Sequence, residues 1–449
     1  MAQKLVVIGG TAAGLSAASK AKRLDPSLEI TVFEKSGYIS YGACGLPYFV
    51  GGLIENPDDL VSVSLKSMNE KRGVPTFIHH EVTAIDREQK RVSVKNLDTG
   101  EAFFAPYDRL VIATGAAPIA PSIPGADAAN LHSLRTVEDG IRLKDTVREG
   151  ARCAIIGGGF IGLEVAEELT MRGVKAELFE MLPRLCPFLP ESYSKTVCDA
   201  LERNGVAVHT GTAVEKFTLD GGRIVSVTDS RGQTTAADFV LSAIGVRPNT
   251  KLAADCGLAL GLKGGIKVDD GMRTSDGNIF ACGDCIETKN SITNLPAYMP
   301  LGTNANKQGR VAGENIAGGK AVFPGVLGSM VTKAFDCYIA CTGLTAAQAK
   351  AASFDAAETA IVQRDRASYY PGAREAHLNL VFEKGTGRLL GAQGLGSDSI
   401  AGRINVLAAA ITARMTVMDV NELDLVYAPP VAPVYDPILI AAGQAVKSV

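Results

Sequence analysis

The stretch RCAIIGGGFIG (152–162) joins a short apolar run of strand length to a turn with the spacing G-x-G-x-x-G. Such glycines let the backbone approach a pyrophosphate at a helix N-terminus, where backbone N–H groups and the helix dipole favour anions. Glu180 ends the next apolar run, eighteen residues after the last glycine, and is suited to accept hydrogen bonds from ribose hydroxyls. The stretch therefore predicts a βαβ unit that binds a dinucleotide through Gly157, Gly159, Phe160, Ile161, Gly162 and Glu180.

A second opening of the same kind is VVIGGTAAG (6–14). Thr11 stands where the middle glycine belongs, and Glu34 follows twenty residues after Gly14. Because order, spacing and terminal acid agree twice, two glycine-rich turns that bind no ligand are the less favoured alternative. A second dinucleotide is therefore expected on Gly9, Gly10, Thr11, Ala12, Gly14, Glu34 and Lys35.

Composition limits the classes of protein that fit the 449 residues. The length indicates roughly three domains. With 45 Lys and Arg against 48 Asp and Glu, the chain has no broad basic field for nucleic acid or an anionic membrane. We find no apolar run of about 18 residues and no basic leader, so a cytoplasmic location is expected. Nine cysteines at irregular spacing indicate reduced thiols rather than a disulfide framework.

The dinucleotide signals stop near residue 325. Strand-like runs follow at 377–382 and 388–393, with a helical stretch around 403–415 and a proline-rich segment at 427–437. We predict an α/β protein with two Rossmann-like dinucleotide-binding domains and a C-terminal α+β dimerisation domain.

The segment SGYISYGACGLPYFVGG (36–52) carries the candidate reactive group, Cys44. A thiol near a helix N-terminus and a cofactor has its thiolate favoured and becomes a nucleophile at neutral pH. The alternative interpretation is a small buried residue, because free cysteine often packs as an apolar side chain.

The order of motifs resembles the flavoprotein disulfide reductases. It comprises the first glycine loop, SxxxCGxPY (40–48), ATG (113–115), the complete second loop, GD (283–284) and YAPP (427–430). Within that family the chain is similar to the single-cysteine branch of coenzyme A disulfide reductases, persulfide reductases, NADH oxidases and NADH peroxidases. The resemblance implies FAD on the first site, NAD(P)H on the second and a homodimer. It adds to the FAD site Thr114, Gly115, Gly283 and Asp284.

The resemblance also implies domain boundaries. FAD-binding segments are expected at 1–118 and 246–322, the NAD(P)H-binding domain at 119–245 and the dimerisation domain at 323–449. Glu180 favours NADH because an acid repels a 2′-phosphate, whereas Arg184 leaves NADPH open.

Two-cysteine members carry C-x-x-x-x-C, but Phe49 stands five positions after Cys44. The oxidised partner of Cys44 must then come from outside, as a small thiol in mixed disulfide, a sulfane sulfur, or oxygen in a sulfenic acid. Ala12 stands where peroxidases and many oxidases carry a histidine, and Pro47 and Tyr48 resemble the coenzyme A disulfide pattern. These features favour a thiol acceptor over peroxide or oxygen.

Ser16, Lys20 and Arg23 form one polar stripe on the first helix. The stripe is either a solvated helix face or a site for the phosphates of coenzyme A, and the resemblance implies the second together with Ser40, Asn306 and Arg310.

Two C-terminal tyrosines, Tyr369 and Tyr427, match residues that reach the active site of the other subunit in coenzyme A disulfide reductases. A phenol there can protonate a leaving thiolate. Turn aromatics beside proline are the alternative. Ala43 and Val431 depart from the pattern, where the family commonly has Asn and Tyr, so the acceptor thiol is less specified than the thiol chemistry.

The expected function is FAD-dependent reduction of coenzyme A disulfide or a low-molecular-weight persulfide or polysulfide by NAD(P)H through Cys44, as a redox-active centre. Alternatives are an NADH oxidase that cycles through a cysteine sulfenic acid, and a non-catalytic FAD and NADH redox sensor or electron-transfer partner. No metal site is expected, because the C-x-x-C at Cys282 and Cys285 falls within the GD motif.

Overall fold

The computed structural model describes residues 2–449, which divide into two compact units. The first unit comprises residues up to 119, 135–142 and 245–326, and the second comprises 120–134, 143–244 and 327–449. The boundaries of the four predicted segments remain predictions, since this division separates only two units.

A five-stranded parallel sheet forms the centre of the first unit. Its strands, in spatial order, are Ile279–Ala281, Arg109–Ile112, Lys4–Ile8, Glu29–Phe33 and Thr76–Phe77. Apart from the exposed Phe77 of the edge strand, their apolar side chains are almost fully buried, as expected for a parallel sheet covered on both faces. An antiparallel sheet of His80–Asp86, Arg91–Asn96 and Ala102–Pro106 belongs to the same unit.

Two long helices, Ala12–Leu24 and Gly302–Ile316, pack closely against each other in the first unit. A Cβ atom built on Gly309 would lie 2.2 Å from the carbonyl oxygen of Ala13, and one on Gly313 would lie 2.3 Å from that of Ala17. Glycine is therefore required at both positions for the backbones to approach. The short helices Leu46–Gly51 and Lys251–Asp255 and the strand pairs Ala116–Pro118 with Val246–Pro248 and Thr288–Lys289 with Pro296–Ala297 complete this unit.

The second unit contains another five-stranded parallel sheet, in the order Ala207–Thr210, Lys175–Glu180, Arg152–Ile156, Phe239–Ser242 and Leu131–His132. It carries the helices Phe160–Met171 and Glu191–Arg203 and an antiparallel sheet of Val214–Asp220, Arg223–Asp229 and Thr234–Ala236. The helix Val137–Thr146 crosses the division between the two units in sequence.

The C-terminal part of the second unit is a five-stranded antiparallel sheet with helices. Its strands are, in order, Met330–Ala334, Cys337–Gly343, Leu389–Gly396, Glu375–Glu383 and Ala356–Arg364. The helices are Ala346–Ala351, Ser399–Thr412, Val417–Asn421 and Pro437–Val446. Two parallel sheets with glycine turns and one antiparallel α+β part confirm the predicted fold class. Within residues 2–449, no helix combines the length and apolar character needed to cross a membrane.

Candidate functional site

The first glycine loop (residues 9–14) leaves no room for side chains at its two ends. Gly9 has a φ of +108°, and a Cβ atom there would lie 2.2 Å from the carbonyl oxygen of Ala113. A Cβ atom on Gly14 would lie 1.9 Å from the carbonyl oxygen of Gly9. The strand thus turns into its helix within a few residues, as close backbone approach to a pyrophosphate requires.

The second glycine loop (residues 157–162) repeats this geometry in the other unit. Gly157 has a φ of +111°, and its Cβ atom would lie 2.5 Å from the carbonyl oxygen of Ala243. A Cβ atom on Gly162 would lie 2.0 Å from the carbonyl oxygen of Gly157. At Gly159, by contrast, a Cβ atom would meet no described protein atom within 4 Å. Gly159 therefore faces open space, which fits a position kept small for a ligand.

Each loop is tied to its acidic residue in the same way. Glu34 accepts hydrogen bonds from the backbone N–H of Gly10 at 2.7 Å and of Ser36 at 2.9 Å. Glu180 accepts the backbone N–H of Gly158 and of Leu182, both at 2.8 Å. Both carboxylates are buried, yet each oxygen has a further lone pair with which to accept a ribose hydroxyl.

Both loops fit the pyrophosphate of a dinucleotide. The helices Ala12–Leu24 and Phe160–Met171 begin after Thr11 and Gly159, and within the described residues no side chain caps either helix. Their first N–H groups are therefore available to an anion, and the helix dipole adds about half a positive charge. Thr11 preserves this start even though it replaces a glycine.

The ATG segment is held by Asn249, which sequence reasoning missed. The Thr114 hydroxyl donates to the Asn249 carbonyl oxygen at 2.6 Å, and the Asn249 side-chain amide donates to the Thr114 carbonyl oxygen at 2.9 Å. Gly115 has a φ of +66°, so it provides the left-handed turn that ends the segment. The GD motif has a similar anchor, since the Gly283 N–H donates to the Gln308 side chain at 2.9 Å.

Asp284 of the GD motif forms an ion pair with Arg135, at 2.6 Å between Nη2 and Oδ2. Arg135 also donates from Nε to the carbonyl oxygen of Ala116 at 3.3 Å. The arginine thereby joins the ATG segment to the GD motif. Sequence reasoning missed it because 149 residues separate the two partners and no local motif marks the arginine.

We expect Arg135→Gln to lower the free energy of unfolding by about 1–3 kcal/mol and to weaken retention of FAD. The Asp284 carboxylate is mostly buried and would lose its charged donor. Urea unfolding and the flavin absorbance of the dialysed protein would measure both effects. The matched control, Arg152→Gln, breaks an exposed ion pair with Asp238 and should change the unfolding free energy much less. Equal losses in the two variants would contradict this account.

Cys44 is exposed on the turn Ala43–Gly45, directly before the helix Leu46–Gly51. Ser40 anchors this segment, because its N–H donates to the carbonyl oxygen of Gly10 at 2.9 Å. Ser40 adopts a φ of +49°, an uncommon conformation for a residue with a side chain. The cysteine segment is therefore fastened directly to the first glycine loop.

The other eight cysteines are buried or half-buried, and residues 2–449 contain no disulfide. Burial raises the pKa of the Cys285 thiol to about 11 and those of Cys186, Cys337 and Cys341 to about 12. Desolvation disfavours a thiolate in these places, so their thiols are poor nucleophiles. No group of three or more potential metal ligands was found in the described chain.

The polar stripe of the first helix lies beside the helix Gly302–Ile316. The Ser16 hydroxyl donates to the Asn306 side chain at 2.7 Å, and Lys20 forms an ion pair with Glu314 at 2.9 Å. Arg310 lies between these two contacts along the second helix and is exposed, as is Arg23. The structure thus brings Ser16, Lys20, Asn306 and Arg310 to one edge, although the charge of Lys20 is already balanced.

Tyr369 and Tyr427 lie together in the second unit. A hydrogen bond to the Tyr369 hydroxyl raises the pKa of Tyr427. Tyr369 is 75% exposed and Tyr427 is 47% exposed. Several apolar or aromatic residues close to them in the sequence are also exposed, namely Tyr370, Val426, Val431, Val434 and Tyr435.

Comparison with protein families gives two matches. Residues 3–309 match the family described as pyridine nucleotide-disulphide oxidoreductase, and residues 330–436 match the dimerisation domain of the same family.

Individual relatives extend over nearly the whole chain. An NAD(P)H coenzyme A polysulfide/persulfide reductase of Pyrococcus horikoshii is 38% identical, covering 98% of both chains. An NADH oxidase of Methanocaldococcus jannaschii is 36% identical, covering 99% of both. Among solved structures, an NAD-dependent persulfide reductase from A. fulgidus superposes with a TM-score of 0.95 at 41% identity, covering 99% of this chain and 83% of that chain.

Proposed function

The chain belongs to the pyridine nucleotide-disulphide oxidoreductase family, and from this premise we propose that it reduces coenzyme A disulfide or a low-molecular-weight persulfide or polysulfide through Cys44. Enzymes of this family use FAD and NAD(P)H. One observation carries the proposal: Cys44 is an exposed thiol on a segment fastened to the first glycine loop, while Phe49 takes the place of a second redox cysteine.

Each cofactor has its own set of residues in this proposal. The first glycine loop, Glu34, the ATG segment and Asp284 would hold FAD, and the second glycine loop with Glu180 would hold NAD(P)H. Bound FAD supplies two-electron chemistry between a nicotinamide and a thiol. The carboxylate of Glu180 favours NADH over NADPH, because it would repel the 2′-phosphate of NADPH.

Cys44 performs the sulfur chemistry. Its thiolate attacks one sulfur of the acceptor, a new S–S bond forms to Cys44, and the bond within the acceptor breaks to release a thiolate. Two electrons from NAD(P)H then cleave the mixed disulfide, which frees the second thiol and regenerates the Cys44 thiolate. The sum is NAD(P)H, one proton and one disulfide giving NAD(P)⁺ and two thiols.

The edge formed by Ser16, Asn306 and Arg310 supports the proposal that the acceptor thiol is of the size of coenzyme A. The guanidinium of Arg310 is exposed and suits a phosphate, while the hydroxyl and amide offer neutral hydrogen bonds. Arg23 and Ser40 complete the proposed contacts. Lys20 contributes less than a free lysine would, because Glu314 neutralises it.

Tyr427 and Tyr369 are proposed to protonate the leaving thiolate in the other subunit of a homodimer, which the dimerisation-domain match supports. A raised pKa keeps Tyr427 protonated at pH values above the ordinary tyrosine pKa of about 10.

We expect Tyr369→Phe to remove the hydrogen bond that raises the pKa of Tyr427, so that Tyr427 loses its proton at lower pH. The alkaline limb of the rate profile should then shift to lower pH in Tyr369→Phe, and an unshifted limb would count against the pair.

An NADH oxidase is the second candidate, favoured by the Methanocaldococcus jannaschii relative of that name. In that reaction Cys44 would cycle through a sulfenic acid, which needs no second cysteine. Ala12 favours the thiol acceptor, because it stands where peroxidases and many oxidases carry a histidine that assists peroxide chemistry.

Anaerobic turnover separates the two candidates. NADH oxidation is followed without oxygen in the presence of coenzyme A disulfide or coenzyme A persulfide, and thiol release is measured in parallel. We expect one NADH consumed per disulfide reduced and slow turnover in air without a sulfur acceptor. Fast oxygen consumption combined with no anaerobic thiol release would favour the oxidase.

A further inference from the structure

A basic cavity of about 550 Å³ lies in the first unit, at the opposite end of the sheet from the first glycine loop. It is lined by Arg109, Arg273, Gly277, Phe280, Asn315, Ile316, Gly318, Gly319 and Lys320. Arg109 is the first residue of its strand, whereas the ATG segment follows the last residue of the same strand. At about 3.3 Å per residue, the four-residue strand separates the two ends by roughly 13 Å. The basic cavity is therefore distinct from the dinucleotide site.

Three cations line the basic cavity, and the lining residues that the structure describes include no carboxylate. Arg109 donates to the neutral side chain of Asn278. The guanidinium of Arg273 lies over the ring of Phe280, at 5.4 Å from the ring centroid. Lys320 is exposed, and in the described chain neither it nor the two arginines has a carboxylate oxygen within 4.0 Å.

The fold neutralises these charges only in part, through the carboxylate of Asp269 and one helix C-terminus. Asp269, which lies near Arg273, uses Oδ1 to accept the backbone N–H groups of Gly271 and Arg273. The C-terminus of the helix Gly302–Ile316 borders the basic cavity but contributes only about half a negative charge. An excess of positive charge therefore remains at the basic cavity, and it favours an anion there.

We propose that the basic cavity binds a small molecule carrying a pyrophosphate or several phosphate groups, as a site separate from the dinucleotide and thiol sites. Arginine and lysine side chains suit phosphate oxygens, the former through paired N–H donors and the latter as a point charge. The volume exceeds the needs of a single phosphate and lies within the range of small-molecule pockets. Gly277 and Gly318 keep the walls open, since a Cβ atom on either would meet no described atom within 4 Å.

Titration calorimetry with pyrophosphate tests this proposal on the full-length, FAD-loaded protein with NAD⁺ present, so that both dinucleotide loops are filled. The variant Arg273→Gln/Lys320→Gln removes two of the three charges, and we expect it to weaken pyrophosphate binding at least about tenfold. Its NADH turnover should be unchanged, because neither residue belongs to the catalytic segment.

Two control variants keep the interpretation specific. Lys71→Gln/Lys95→Gln removes the same charge from exposed positions of the same unit and should leave pyrophosphate affinity unchanged. Arg310→Gln removes the phosphate contact proposed for the thiol site, and the binding event that Arg273→Gln/Lys320→Gln weakens should keep its pyrophosphate affinity in this variant. The proposal would be overturned by absence of pyrophosphate binding at millimolar concentration, by loss of binding only in Arg310→Gln, by equal loss in both double variants, or by tighter binding of citrate than of pyrophosphate.

Discussion

Cys44→Ser abolishes NADH-dependent reduction of coenzyme A disulfide, with an expected loss of roughly 10³-fold or more in kcat. A serine hydroxyl cannot form the mixed disulfide, and no second cysteine stands five positions later to replace it. The loss should appear in thiol release, whereas FAD content and bleaching of the flavin absorbance by NADH should persist.

Cys198→Ser is the matched control for this prediction. Cys198 is half-buried on the helix Glu191–Arg203, and desolvation raises the pKa of its thiol. Turnover should stay close to that of the unmodified protein. If Cys44→Ser keeps substantial thiol release, or if both variants lose it equally, Cys44 is not the redox centre.

Gly162→Ala should remove NADH binding while the protein still folds around FAD. The added methyl group would lie 2.0 Å from the carbonyl oxygen of Gly157, so the second glycine loop must open. Opening moves the helix N-terminus away from the pyrophosphate position. We expect KM for NADH to rise by about two orders of magnitude or turnover to vanish.

Gly159→Ala provides the comparison at the same loop. Its methyl group meets no described protein atom within 4 Å, so the unfolding free energy should change little, and any loss of NADH affinity would come from contact with the nucleotide itself. Flavin content verifies folding in both variants. Unchanged NADH affinity in Gly162→Ala would contradict the assignment of this loop.

Features that depend on residues close together in the chain could be predicted from the sequence. The glycine loops depend on spacing within six residues and on an acid at the next strand end, and the parallel sheets confirm the fold inferred from them. The family resemblance inferred from the motif order is likewise confirmed by the matches over residues 3–309 and 330–436. The FAD and NAD(P)H expectation is confirmed at the level of the family.

Contacts between distant segments could not be predicted in the same way. The Arg135 and Asp284 ion pair and the clamp of Asn249 on Thr114 join segments more than one hundred residues apart, so no local spacing encodes them. The ion pair of Lys20 with Glu314 could not be predicted either, because the spacing of polar residues on one helix does not show which residues of a neighbouring helix lie beside them. The roles of individual site residues stay predictions.

The most direct measurement is the intact mass of the unreduced protein after incubation with coenzyme A disulfide in the absence of NADH. The account predicts a gain of one coenzyme A thiol per chain, located by peptide mapping on Cys44 and removed by one equivalent of NADH. An unchanged mass, or an adduct on another cysteine, would contradict it.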